Sequence, residues 1–222
     1  MLDLDLGRVA TAMVTPFQEN GDIDFEMVEK LIEHLISNGT DSIVVCGTTG
    51  ESPTLTKEEK LKLIHFTVEK VNKRVPVIAG TGSNNTQETI DMTKKVESLG
   101  VDGVMLVAPY YNKPNQRGLY AHFEAVAKET ALPIVLYNVP GRTSSNIEAA
   151  TTIALSKLPN IQVVKEASGN LDQMAEILAK TDDNFFVYSG DDALTLPLLA
   201  IGGRGVISVA SHVVGNEMQA MI

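Results

Sequence analysis

Short, continuous apolar runs alternate with amphipathic helical segments along the whole chain. The runs are rich in Val, Ile and Leu and show little apolar–polar alternation, which is typical of parallel strands covered on both faces. No linker or low-complexity tract interrupts them, so residues 1–222 are predicted to form one domain. Eight runs have the length and composition of such strands: Ala10–Val14, Ser42–Gly47, Val75–Gly80, Gly103–Ala108, Ile134–Val139, Ile161–Lys165, Phe185–Ser189 and Gly205–Val209.

Start and stop signals mark the helices between these runs. Asp24 can cap a helix that Gly39 ends, because a left-handed glycine commonly follows the last helical turn. Thr56 and Asn85 each precede a glutamate by three positions, which is the spacing of a capping box. Asn170 stands just before a further amphipathic segment. The chain is therefore predicted to follow each strand with a helix.

Eight strands joined by helical crossovers predict an α/β fold, the parallel (β/α)8 or TIM barrel, because repeated right-handed β-α-β units tend to close. An open, doubly wound sheet is the competing architecture, and alternation alone does not exclude it. The chain stops at Ile222, where a helix over Gly215–Ile222 would be starting. We therefore expect a barrel with all its strands and a truncated C-terminal helical part.

Composition narrows the class of protein. A hydrophobic fraction of 44% and a charged fraction of 21% are ordinary for a globular protein. The net charge of −10 and the absence of a basic run argue against nucleic-acid binding. No apolar run is long enough to span a membrane, and the first seven residues have no signal-peptide pattern. We therefore expect a cytoplasmic protein with no membrane or nucleic-acid partner.

The residues that commonly bind metals are few or scattered. Cys46 is the single cysteine, which excludes an intrachain disulfide and a cysteine-rich metal site. Asp191 and Asp192 can hold a cation, but a helix N-cap is the better interpretation. We expect no metal site, because no pair with ligand spacing occurs among the histidines, His34, His65, His122 and His212.

Lys165 is the polar residue whose position is hardest to explain structurally. It ends the apolar run of the sixth strand, whereas the other lysines lie on helical patterns or in connecting loops. Enclosing an ammonium group lowers its pKa and turns it into a usable amine nucleophile. A lysine that extends its head to the sheet edge, or pairs with Glu166 or another carboxylate, is an equally good interpretation of the same pattern.

Further polar residues follow the other strands, whose carboxyl ends would meet at one end of a barrel. Gly47–Gly50 offers backbone N–H groups and two hydroxyls to a carboxylate or phosphate, although an ordinary turn has the same residues. Tyr137 can relay protons during imine chemistry, or it can be a core aromatic. Arg142 can bind a carboxylate in bidentate fashion, or it can be a solvated loop charge.

Taken together, these strand ends resemble the dihydrodipicolinate synthase (4-hydroxy-tetrahydrodipicolinate synthase) family of class I aldolase-like lyases. The related N-acetylneuraminate lyases share the barrel and the lysine but generally lack the Tyr-Tyr pair and the arginine. The motifs that carry the resemblance are Gly47-Thr-Thr-Gly-Glu-Ser52, Pro109-Tyr-Tyr-Asn-Lys-Pro114, Leu136-Tyr-Asn-Val-Pro-Gly-Arg-Thr143, Val164-Lys-Glu-Ala-Ser-Gly169, Ser189-Gly-Asp-Asp192 and Gly205-Val-Ile-Ser-Val209.

The resemblance implies a Schiff-base condensation of pyruvate with L-aspartate 4-semialdehyde, a step of diaminopimelate and lysine biosynthesis. Lys165 would form the covalent imine with pyruvate, so that neither a metal nor an organic cofactor is expected. Thr48 and Tyr137 would relay protons together with Tyr111 of a neighbouring subunit. The substrates would be held by Thr49, Arg142, Gly190 and Ile207, with Arg142 on the semialdehyde carboxylate.

The resemblance also implies a homotetramer built as a dimer of dimers, in which lysine inhibits many members. Two alternatives remain open: another 2-keto-acid aldolase of the same superfamily, and a barrel fragment that binds a keto acid without turnover. The lysine site would lie near Ser52, Pro53, Lys57, Lys60, Asn84, Glu88 and Tyr110.

Lysine is expected to inhibit this chain weakly or not at all. Sensitive relatives often carry histidines where this chain has Lys57 and Lys60, and two ammonium groups disfavour a cationic effector through like-charge repulsion. The measurement is a titration of the condensation rate with L-lysine. Strong inhibition below one millimolar lysine would contradict this expectation.

Overall fold

The computed structural model describes residues 4–222. Within this part of the chain, eight parallel strands close into a barrel in sequence order, with β1 pairing β8. This closure confirms the predicted TIM barrel and excludes the open sheet. The strands are β1 (Val9–Ala12), β2 (Ser42–Val45), β3 (Val77–Gly80), β4 (Gly103–Val107), β5 (Ile134–Asn138), β6 (Ile161–Glu166), β7 (Phe186–Ser189) and β8 (Gly205–Ser208).

Each strand lies within two residues of its predicted bounds. The third strand starts after Pro76, which has no N–H group to donate to a ladder. The first strand ends before Val14, whose N–H group donates to the His212 Nε2 atom at 3.2 Å instead of to a neighbouring strand. These differences arise from hydrogen-bond partners that the apolar pattern does not specify.

The helices pack around the barrel. Their caps agree with the sequence at Asp24, which accepts from the Met27 N–H group, and at Thr56 and Glu59, which form a complete capping box. Asn85 accepts from the Glu88 N–H group, but Glu88 directs its carboxylate to Lys57 and Ser83, so the second predicted capping box is wrong. The helices are α1 (Phe25–Ser37), α2 (Lys57–Val71), α3 (Thr86–Glu97), α4 (Gln116–Ala127), α5 (Pro140–Thr143), α6 (Ala149–Leu155), α7 (Leu171–Lys180), α8 (Thr195–Ala200) and α9 (Ser211–Met221).

Two apolar layers lie on the two sides of the barrel wall. Side chains at alternate strand positions point to opposite faces, so each strand contributes to both layers. The outer layer joins the strands to the helices and includes Ile43, Leu106 and Leu136. The inner layer fills the lumen with Ala10, Ala12, Val44, Ile78, Met105, Val135, Tyr137, Val163, Tyr188 and Ile207. The wall therefore separates the residues that hold the helices from those that face the lumen.

The helix after β8 begins earlier than the sequence indicated. It starts at Ser211 rather than Gly215, and it bends at Val214, whose backbone is not helical. Ser211 bonds to Thr11 on β1 at 2.8 Å. Gly215 lies against the end of α1, where a Cβ atom would overlap the carbonyl oxygen of Asn38. These contacts tie α9 to the first strand and the first helix.

No helix within residues 4–222 has both the length and the apolar character needed to cross a membrane.

Acid should destabilise the fold through His122 on α4. This side chain is 6% exposed, its Nδ1 atom bonds to the Thr86 hydroxyl at 2.9 Å, and its Nε2 atom has no partner within residues 4–222. Burial lowers the pKa of His122 from 6.5 to about 4. Between these values the unfolded chain binds a proton that the folded chain does not, so stability falls as the pH falls, by roughly 3 kcal/mol over the window.

The measurement is urea unfolding of the parent and of His122→Gln at pH 7 and pH 4.5. The variant should lose less stability on acidification than the parent. His65→Gln, which replaces an exposed histidine of α2, is the matched control and should follow the parent. Equal acid losses in the parent and in His122→Gln would contradict the prediction.

Candidate active site

A cavity of about 430 Å³ opens at the carboxyl ends of β2 to β5. Its wall includes the predicted site residues Thr48, Tyr137 and Arg142, which come from three separate loops or strand ends. Parallel strands that close into a barrel bring their carboxyl ends to one mouth, which explains why residues so distant in sequence meet here. The cavity is therefore where the candidate chemistry must be sought.

Lys165 lies beside this cavity, inside the barrel wall. It is 4% exposed, and its Nζ atom lies 4.4 Å from the centre of the Tyr137 ring, because the two residues are paired across β5 and β6. Burial lowers the pKa of Lys165 to about 8; the charge of Asp192 raises it and that of Arg142 lowers it. A substantial fraction of this amine is therefore uncharged near neutral pH.

The structure excludes a solvent-exposed head and an ion pair with Glu166, while the neighbouring carboxylate that acts on Lys165 is Asp192. The side chain does not extend to the solvent, since almost all of it is buried. Glu166 does not pair with it, because consecutive strand residues face opposite sides of the wall. The Glu166 carboxylate instead accepts from the Asn138 amide at 3.0 and 3.1 Å.

Tyr137 and Thr48 are brought together as the sequence predicted. Tyr137 is buried on the lumen side of β5. Burial raises the pKa of Tyr137 above its ordinary value, while a hydrogen bond with Thr48 and the charge of Arg142 lower it. The phenol therefore keeps its proton at neutral pH. Its hydroxyl is bonded to Thr48 and its ring face lies 4.4 Å from the Lys165 amine, so a group able to transfer protons stands beside the amine.

The turn after β2 presents Thr48 to the cavity. Cys46 has a φ of 55°, in the left-handed region, and the N–H group of Glu51 closes the turn on the Thr48 carbonyl at 3.0 Å. Among residues 4–222, the N–H groups of Thr48 and Thr49 donate to no hydrogen bond, so both are available to a carboxylate. The Thr49 side chain is half-buried and lies outside the cavity wall.

Arg142 lies on the one-turn helix α5, which follows β5 directly. The N–H group of Arg142 donates to the Val139 carbonyl at 2.9 Å, and its exposed side chain contributes to the cavity wall. Since its charge lowers the pKa of both Lys165 and Tyr137, Arg142 is close enough to act on each of them.

Gly190 lies against the lysine side chain. A Cβ atom at Gly190 would lie 3.0 Å from the Cε atom of Lys165, so a side chain there would displace the amine. Ile207 is buried in the lumen layer on β8. Neither residue contributes to the cavity wall, and their substrate-binding roles stay predictions.

Tyr111 is the one predicted catalytic residue that the chain does not bring to its own cavity. It is 88% exposed and has a φ of 72°. Asn84 supports its loop by donating to the Tyr110 carbonyl at 3.2 Å, and Asn112 donates to the Asn84 carbonyl at 3.1 Å. The role of Tyr111 in a neighbouring subunit stays a prediction.

The sequence model of the dihydrodipicolinate synthetase family matches residues 5–222. The chain belongs to this family. The resemblance inferred from its motifs is thereby confirmed. A 4-hydroxy-tetrahydrodipicolinate synthase from Bacillus velezensis is 61% identical over 219 residues, which are 99% of this chain and 76% of that protein.

Solved structures agree with this assignment. Dihydrodipicolinate synthase DapA-2 from Bacillus anthracis superimposes with a TM-score of 0.97 at 60% identity, covering 98% of this chain and 75% of that one. A lysine-bound dihydrodipicolinate synthase from Cyanidioschyzon merolae gives a TM-score of 0.96 at 53% identity, covering 97% and 74%. The chain thus spans about three quarters of the length of these family members.

Six of the seven residues predicted for a lysine site contribute to the wall of the same cavity. Lys57 pairs with Glu88 at 3.4 Å, and Asn84 lies just outside the wall, bonded to the Tyr110 loop. The six in the wall are Ser52, Pro53, Lys57, Lys60, Glu88 and Tyr110. This family member therefore places two ammonium groups next to its candidate site.

Two residues of the site were missed or assigned another role. The cap predicted at the Asp191–Asp192 pair is confirmed at Asp191, which accepts from the Ala193 N–H group. Asp192 has a role that was missed: it accepts from the N–H groups of Val209 and Ala210 after β8, and its charge acts on Lys165. Cys46 contributes to the cavity wall, and burial raises the pKa of its thiol to about 12. The signal for Cys46 was its place at a strand end, directly before Gly47.

No group of three or more His, Cys, Asp or Glu side chains within residues 4–222 is arranged to hold a metal ion.

Lys165→Met should stabilise the fold at pH 7. The folded pKa of about 8 lies below the ordinary 10.5, so the charged lysine destabilises the folded chain at every pH below 8. Removing it should raise the free energy of unfolding by up to about 3 kcal/mol, measured by urea unfolding. Lys95→Met, at an exposed position on α3, is the control and should change little. A loss of stability in Lys165→Met would contradict the prediction.

Proposed function

We propose that this family member is a 4-hydroxy-tetrahydrodipicolinate synthase that condenses pyruvate with L-aspartate 4-semialdehyde. The observation that carries the proposal is the enclosed Lys165 amine, whose pKa is lowered to about 8, beside the Tyr137 ring at the mouth of the barrel. An uncharged amine in a pocket with a proton relay is what imine formation with a keto acid requires. The relatives that carry this name support the choice of substrates.

The first half of the reaction activates pyruvate. The Nζ atom of Lys165 attacks the keto carbon, and the keto oxygen takes up protons and leaves as water. Tyr137 and Thr48 carry these protons, since the phenol lies against both the amine and the threonine. The resulting iminium withdraws electrons, so that the methyl group loses a proton and becomes an enamine carbon.

The second half forms the carbon–carbon bond. The enamine carbon adds to the aldehyde carbon of the semialdehyde, whose oxygen takes up a proton and stays as the hydroxyl of the product. The semialdehyde amine then attacks the iminium carbon and expels Lys165, which closes the ring and frees the enzyme. The iminium serves as the electron sink, so this sequence of steps needs neither a metal nor an organic cofactor.

Each substrate has a binding group in the proposed site. The free N–H groups at Thr48 and Thr49 suit the pyruvate carboxylate. Arg142 suits the semialdehyde carboxylate, because its guanidinium is exposed at the cavity wall and can bind two oxygens at once. Gly190 leaves room for Lys165, and Ile207 closes the lumen beneath it.

We also propose that the working form is a homotetramer, a dimer of dimers, in the cytoplasm. Tyr111 of the partner subunit would complete the proton relay. The exposure of Tyr111 and its position outside the wall of its own cavity support this assignment. Sedimentation velocity measures the assembly directly.

Borohydride reduction in the presence of pyruvate tests the chemistry. A reduced pyruvate adduct should form on the peptide that contains Lys165, and Lys165→Met should give none. The rate of trapping should fall about tenfold per pH unit below pH 8, because only the uncharged amine attacks. The measurement is quenched-flow trapping followed by peptide mass spectrometry. No adduct, or an adduct on another lysine only, would refute the proposed function.

A further inference from the structure

A buried carboxylate lies directly behind Lys165, on the opposite face of β6. The side chain of Glu166 is fully buried between the barrel wall and the helices. Its Oε1 atom accepts from the Asn138 amide at 3.0 Å and from the Ser168 N–H group at 2.8 Å. Its Oε2 atom accepts from the Asn138 amide at 3.1 Å and from the Gln173 amide at 2.9 Å. Both oxygens are therefore held from two sides.

These bonds fit an ionised carboxylate. Three N–H-bearing groups hold it at these distances, the Asn138 and Gln173 amides and the Ser168 backbone, and the Ser168 hydroxyl also bonds to it. Amide and backbone N–H groups can only donate, so a proton on the carboxylate would face donors at most of its contacts. The amide oxygens nearby are in use, since Asn138 accepts from the Ile147 N–H group and Gln173 accepts from the Asn146 amide, both at 2.9 Å. Burial raises the pKa of Glu166, while its hydrogen bonds with Asn138, Gln173 and Ser168 lower it. Hydrogen bonds rather than a cation hold the charge.

The same bonds reinforce the register where the reacting groups are carried. In the ladder of β5 and β6, Tyr137 is paired with Lys165 on the lumen face of the wall. The next pair, Asn138 with Glu166, lies on the outer face. Between Ile134 and Val135 the pairing of β5 with β6 shifts by one residue, so the lower part of these strands does not dictate the register above it. The ladder pairs regularly from Val135 onward, and the Asn138–Glu166 bond adds a side-chain link to this register next to Tyr137 and Lys165.

The network also holds the segment that carries Arg142. This segment leaves the end of β5 and returns to it, since the Ile147 N–H group donates to the Asn138 side chain. Asn138 also donates to the Asn146 side chain at 2.8 Å, and the Gln173 amide donates to the Ile147 carbonyl at 3.3 Å. A change at the Glu166 carboxylate would therefore alter the position of Arg142 as well as that of Lys165.

We infer that Glu166 is a positioning residue: its carboxylate holds the Lys165 amine against Tyr137 and holds the Arg142 segment relative to both. Glu166 touches no substrate and acts only through these neighbours. The inference rests on the proposed function, because the proposed reaction defines which groups must be aligned. Misplacing such groups by about 1 Å lowers rates by up to a hundredfold.

Glu166→Gln tests this role with almost no change in shape. The new amide would direct its N–H groups at the Asn138 or Gln173 amide, so one bond of the network becomes a donor–donor contact. The borohydride trapping rate with pyruvate and kcat/KM should each fall by about tenfold or more. The KM for the semialdehyde should rise, because Arg142 would no longer be held in place.

A double variant distinguishes positioning from a general loss of structure. Glu166→Gln combined with Gln173→Glu exchanges the carboxylate and the amide of the hydrogen bond between these two positions, so that position 173 carries the charge. The amide introduced at position 166 is then able to accept from Asn138 and Ser168 and to donate to the new carboxylate, which also accepts from Asn146. Trapping with pyruvate should recover to within about threefold of the parent. The KM for the semialdehyde should stay raised, because the carboxylate introduced at position 173 cannot donate to the Ile147 carbonyl as the Gln173 amide does.

Glu97→Gln is the matched control at the opposite end of the barrel. Glu97 is a partly buried carboxylate that accepts from the Thr130 hydroxyl at 3.2 Å and from the Ala131 N–H group at 3.4 Å. This variant neutralises a hydrogen-bonded carboxylate without touching the network, so its kinetic constants should match those of the parent. Equal kinetic losses in Glu97→Gln and Glu166→Gln would overturn the positioning role.

The remaining outcomes are equally decisive. Trapping and KM values of Glu166→Gln within twofold of the parent would overturn the inference, as would a folded double variant that traps pyruvate no faster than Glu166→Gln. If Glu166→Gln does not fold, Gln173→Leu removes one donor and the contact with Ile147. That variant should show a smaller loss in the same constants, and unchanged constants would overturn the inference.

A parent protein without a pyruvate adduct would instead refute the proposed function.

Discussion

Enclosing the ammonium group of Lys165 in a barrel lumen removes it from water. The rest of the site depends on which neighbouring groups compensate for the lost hydration. Residues 4–222 supply no ion pair or hydrogen bond to its Nζ atom, which lies 4.4 Å from the centre of the Tyr137 ring. Asp192 offsets part of the desolvation through its charge, and Arg142 adds to it. The lysine therefore holds its proton weakly, which makes a residue that destabilises the fold a useful nucleophile.

The barrel wall allows this amine to exist without loosening the rest of the molecule. Helices and strands are joined by the outer apolar layer, which does not include Lys165. On the outer face at the same level, Asn138 and Glu166 satisfy each other's polar groups and reinforce the register that the lumen face shares. On the outer face of the wall these polar groups have their hydrogen-bond partners. On the lumen face the Lys165 amine lacks such a partner within the described part of the chain.

Local signals predicted most of the fold. The helix starts at Asp24, Thr56 and Asn170 were correct because a cap bonds to an N–H group only three positions away. The early start of α9 at Ser211 was missed, since that helix is anchored by Thr11, which lies 200 residues away. The error at Asn85 has a similar cause: Glu88 contacts Lys57 on another helix instead of closing a capping box.

The sequence alone determined the alternation of strands and helices and the presence of a lysine, a tyrosine and an arginine at strand ends, because these patterns depend on near neighbours. Only the tertiary structure decided what those residues face. Closure of the strands turned Lys165 towards Tyr137 and Glu166 towards Asn138, left Thr49 outside the cavity wall, and set the register above the shift at Ile134. These outcomes depend on distances and desolvation between segments far apart in the chain, which no local pattern records.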